Sequence, residues 1–162
     1  MRTLLLLCPL LAICLGLFTP AARATEIDHV QDLVEWNDLV FDIEDTKCRV
    51  GIASVKLFVT RLKPENGKLV GEYTIVVPLK KSSNDKGRIV LPLNDNSVGE
   101  LGANGGVLHG KAISYKEGTT PNAIRCEVLP LKNKTILLAI TTDSRTLKFK
   151  SSYKVSEGKV DG

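Results

Sequence analysis

Leu39, Phe41 and Ile43 alternate with Val40, Asp42 and Glu44, the period of two that marks a half-buried strand. Residues 49–62 continue as a β-branched stretch whose alternation breaks at Gly51 and at Ala53-Ser54, which predicts a bulge or bend there. Lys63-Pro64-Glu65-Asn66-Gly67 reads as a turn, with Asn-Gly supplying residues that tolerate positive φ. Strand character returns over 68–79, over 88–93 after a polar loop at 80–87, and over 107–115. A meander over 122–131, 135–142 and 145–155 follows, its turns at Lys132-Asn133-Lys134 and Asp143-Ser144. Val77-Pro78, Leu91-Pro92 and Leu129-Pro130 end apolar runs, where a residue that cannot donate to a ladder is tolerated.

Three stretches depart from this pattern. Residues 3–18 carry no charge, follow Arg2 and precede Pro20 and Ala22-Arg23-Ala24. That run is short for a membrane span, and its small-residue end fits peptidase cleavage, so residues 1–24 are expected to be a signal peptide. Residues 25–37 are expected to form a short acidic helix, with Ile27, Val30, Leu33 and Val34 on one face. Residues 94–106 hold four glycines and no sustained apolar period, which predicts a long loop. The remainder predicts an all-β domain over 38–155 and a frayed tail over 156–162. About eight strands with short turns favour an antiparallel β-sandwich, immunoglobulin-like or jelly-roll-like; a closed β-barrel is the alternative.

The export signal changes how the cysteines are read. Cys8 and Cys14 leave with residues 1–24, and Cys48 and Cys126 are expected to pair as a disulfide, two free thiols being the alternative. The formal net charge of +4 hides an asymmetry: residues 25–46 hold eight acids and no Lys or Arg, and the body after them is strongly basic. The two can lie against each other, or leave a basic face free for an anionic partner.

Catalytic signatures do not assemble. The chain has two histidines, His29 and His109, and no G-x-S-x-G elbow. The glycines of 94–106 fit no phosphate-binding motif, and Asn94-Asp95-Asn96 lacks the spacing of a calcium loop. No paired Cys or Cys/His spacing suits a metal, so neither metal nor cofactor is expected. Lys148, Lys150 and Lys154 share one parity of the last strand, a basic stripe beside Leu147, Phe149, Tyr153 and Val155. Trp36 and Tyr115 are the candidate sugar platforms, and His109 borders the glycine loop. Asn133-Lys134-Thr135 is a glycosylation sequon on a hairpin tip.

These features predict an exported, periplasmic or extracellular, non-catalytic binding or structural module. Its expected partner is a protein or an anionic polysaccharide or lipid surface, not nucleic acid, and the protein is not integral to a membrane. A small carrier of an apolar or amphipathic ligand is the second expectation, since strands apolar on both parities can line a cavity. A small secreted enzyme using His109 is the third.

Overall fold

The computed structural model describes residues 26–27 and 39–158. The expected signal segment 1–24, most of residues 25–37 with His29 and Trp36, and residues 159–162 lie outside the described residues. The strands are β1 (Glu26–Ile27), β2 (Leu39–Ile43), β3 (Thr46–Val50), β4 (Ala53–Val59), β5 (Lys63–Glu65) and β6 (Lys68–Val76). After them come β7 (Asp85–Pro92), the helix α1 (Val98–Asn104), β8 (Gly106–Ser114), β9 (Asn122–Val128), β10 (Thr135–Thr141) and β11 (Thr146–Glu157).

The expected all-β, antiparallel character is what the chain adopts. The division into two packed sheets is not: one hydrogen-bonded path runs β1-β11-β10-β9-β8-β7-β6-β4-β3, with β2 on β11 and β5 on β6. This sheet is strongly curled into a half-barrel. The curl brings distant strands together. Phe41 of β2 exchanges backbone hydrogen bonds with Leu62 at 3.0 and 2.9 Å, and Thr46 Oγ1 of β3 donates to the Lys150 carbonyl of β11 at 2.6 Å. Gly87 permits a close approach of β7 to β8, because a Cβ there would lie 2.0 Å from the Ile113 carbonyl oxygen.

Alternation selects the inner face. Ile124, Cys126 and Val128 of β9 are buried, and so are Ile136, Leu138 and Ile140 of β10 and Phe149, Tyr153 and Val155 of β11. Phe41 and Tyr153 meet edge to face with ring centroids 5.2 Å apart. The Tyr153 hydroxyl donates to the Leu129 carbonyl at 2.6 Å, so this deep ring keeps a polar partner.

Two local expectations are corrected. Glu26–Ile27 is extended and pairs with β11, so no helix starts there; the rest of that predicted helix is outside the described residues. The predicted loop 94–106 contains α1. Ser97 Oγ accepts from Glu100 N at 3.1 Å and Glu100 Oε2 accepts from Ser97 N at 2.7 Å, a reciprocal cap that starts the helix. Val98 and Leu101 then face inward, and Gly105 ends the helix at φ +74°, pressed so close to Val128 and Pro130 that no side chain fits.

The cysteines require a third correction. Cys48 on β3 and Cys126 on β9 are both free thiols, five strand-to-strand steps apart along the sheet. Burial pushes the Cys126 thiol up to about 12 and also raises Cys48.

Candidate functional site

The basic stripe lies where its parity predicts, on the outer face. Lys148, Lys150 and Lys154 are exposed while Phe149, Tyr153 and Val155 are buried. The sheet divides the three, however. Lys148 and Lys150 stand beside β10, and Lys154 stands opposite Asp42 of β2. Register extends the Lys148 row across the sheet through Ala139 and Arg125 to His109, so two predicted site residues share one cross-strand row. Arg125 is paired with Glu127 at 2.7 Å, and Lys150 shares a polar depression with Glu44 and Asp45. Charge on this face is therefore partly compensated.

Tyr115 is elsewhere. It follows β8, is 58 % exposed, and its hydroxyl donates to Glu72 Oε1 at 3.1 Å over β6. The fold does not bring it to the lysines, and Trp36 is outside the described residues. His109 is exposed on an outer strand face rather than set beside α1.

A concave feature at the strand ends had no motif to mark it in the sequence. One end of the curled sheet opens into a cavity of about 520 Å³. Its walls are inner-face residues at the strand ends: Val50, Val55, Ile75, Val77, Ile140 and Leu147. Polar side chains from the connecting loops and strand ends share the lining with them. Asp85, the first residue of β7, accepts from the Tyr73 hydroxyl at 2.7 Å and from Ser114 Oγ at 2.6 Å. Burial, then this carboxylate, pushes the Tyr73 hydroxyl above its ordinary value, so it remains a donor. Among the described residues no buried side-chain nitrogen or oxygen lacks a partner.

Cations ring the opening. Lys80, Lys116 and Arg145 line it from three different loops. Lys116 Nζ donates to the carbonyls of Ser82 and Asn84, which ties the loop after β8 to the loop after β6. The Asn84 side chain in turn accepts from Val77 N at 2.8 Å and fixes the base of that second loop. Hairpin β3–β4 supplies a lip. Lys56 sits opposite Val76, the last residue of β6, so the hairpin from Val50 to Val55 runs past the sheet edge.

Apolar side chains also stand bare at this end. Ile52 at the hairpin tip is 96 % exposed, and Leu79 in the loop after β6 is 73 % exposed. The sequence held a trace of this: Leu79 lies between Pro78 and the polar loop 80–87, and Ile52 sits beside the turn glycine Gly51.

Among the described residues no group of three His, Cys, Asp or Glu side chains could hold a metal ion. Nor is any helix there long and apolar enough to cross a membrane. Compared with known protein families, curated proteins and solved structures, the chain matches none.

Proposed function

We propose that this is an exported carrier of a small amphipathic ligand, held by its apolar part in the open end of the curled sheet. The cavity carries this reading. Its volume of about 520 Å³ falls in the range of small-molecule sites, about 300–1,000 Å³. Its lining joins aliphatic strand residues to polar and charged ones, which suits a ligand with both an apolar and a polar part.

Charge sets the orientation. Asp85 repels an anionic group where the Tyr73 and Ser114 hydroxyls meet it, whereas Lys80, Lys116 and Arg145 on the loops attract one. An acyl chain or an apolar ring system therefore enters first, and its acidic head stays at the rim. The reading of the outer basic face as the main binding surface is less favoured, because Arg125 is already paired and Lys150 lies near two acids.

Native mass spectrometry of the exported protein, purified without denaturant, tests the carrier reading. An apolar acidic adduct is expected, and so is saturable binding of a dansyl-labelled fatty acid. Ala53→Trp, placed at the mouth, should abolish that binding, and Arg145→Ala should weaken it. A protein that takes up no labelled fatty acid, or binds it equally well in Ala53→Trp, overturns the reading.

A further inference from the structure

The rim of the cavity has features that a carrier in free solution does not need. Hairpin β3–β4 turns its inner residues Val50 and Val55 to the cavity and its outer residues Lys47, Arg49 and Lys56 to solvent. Lys47 and Lys56 are directly opposite one another, a cross-strand pairing of like charges that opposes strand pairing. No acid lies between residues 46 and 56, and none of these three cations is in an ion pair among the described residues. At the tip of this basic hairpin Ile52 is 96 % exposed. Across the opening, Leu79 repeats the arrangement, 73 % exposed and followed by Lys80 and Lys81.

Two bare aliphatic tips at one end, each flanked by cations that form no ion pair among the described residues, match the layering of an anionic lipid surface, with acidic headgroups above an apolar boundary. We infer that the open end docks on an anionic lipid bilayer, with Ile52 and Leu79 at the headgroup–acyl boundary and the hairpin cations over the headgroups. The cavity then opens onto the membrane, and an amphipathic ligand passes between the two without its apolar part crossing water. The purpose of docking rests on the carrier reading; its measurement does not.

The test is flotation of the exported protein with vesicles of phosphatidylcholine, with and without phosphatidylglycerol. Binding is expected to the anionic vesicles, to weaken with added salt, and to be slight on pure phosphatidylcholine. Ile52→Asp combined with Leu79→Asp should lower affinity at least tenfold, and both side chains are exposed enough for the fold to survive. Lys47→Gln and Lys56→Gln should each cost about fivefold. Lys148→Gln on the outer face of β11 should change nothing.

Absence of binding to anionic vesicles overturns the inference, as does equal binding by the Ile52/Leu79 variant. A loss in Lys148→Gln matching that in Lys47→Gln also overturns it, since the docking surface is then the outer sheet face. Binding of the labelled fatty acid without vesicles reports on the carrier reading separately. Vesicle binding without ligand uptake retains docking and removes the carrier; the converse removes docking alone.

Discussion

At the end capped by α1, Leu93, Val98, Leu101 and Leu131 are no more than 7 % exposed. At the opposite end, Val77 and Leu147 are only half-buried, Leu79 and Ile52 are bare, and a cavity lies between the strands. Both ends are finished by connections between successive strands of one sheet. The closed end receives a capped helix and the turn at Leu131–Asn133, which deliver apolar side chains onto the strand ends. The open end receives loops whose apolar residues point away from the interior. Filling one end secures the fold and leaves the other open, the division that the proposed carrier needs, with loops held by a rigid scaffold.

The largest test of this contrast is truncation at each end. Phe41→Ala removes a fully buried ring packed on Tyr153 and should cost about 3–5 kcal/mol in urea unfolding. Leu147→Ala, on the cavity wall, should cost only about 1 kcal/mol, because the site already borders open space. Equal losses would mean that the open end is as tightly packed as the closed one.

Alkaline pH probes the closed interior in a second way. The Cys126 thiol is raised to about 12 in the folded protein, against about 8.5 for an unfolded cysteine. The folded state then binds more protons than the unfolded state between those values, so stability falls as pH rises through them. Tyr153, raised by burial to about 12, adds to the same loss in its upper part. A decline of a few kcal/mol is expected across this window, reduced in Cys126→Ala. A thiol reagent should label Cys48 in the native protein and Cys126 only after unfolding; a mass lower by two hydrogens would restore the disulfide.

The helix that closes this end depends on one cap. Ser97→Ala removes the acceptor for Glu100 N and should cost about 1 kcal/mol, read as a lower urea midpoint. No change would mean that α1 is held by Leu101 packing alone.

That helix also marks the limit of the sequence. Strands were legible because inner residues repeat every second position, as in Ile124-Arg125-Cys126-Glu127-Val128. Four glycines hid the helical period over 94–106, although Ser97 and Glu100 stand at capping-box spacing. The basic parity of β11 was legible, but its neighbours were not, because register with β10 and β2 is a long-range property. Strands apolar on both parities allowed a cavity, but nothing in the sequence marked its place. Inner side chains alternate in the same way whether they meet one another or a void, and the mouth joins residues as distant as Val50 and Arg145.

The smallest expected effect falls on the most exposed apolar residue. Ile52 touches almost nothing in the folded chain, so folding removes little of its surface from water. Ile52→Asp should therefore leave the free energy of urea unfolding within about 0.5 kcal/mol of the wild type. Ile75→Asp, four strand residues from Gly71 on a buried wall of the same end, should by contrast be severely destabilising, since it would bury an unpaired charge. A neutral Ile52→Asp would show that this isoleucine contributes nothing to the fold, which leaves an external surface as its role. A large loss would mean that the hairpin tip packs back onto the protein, and the open end would then have to be redrawn as a covered one.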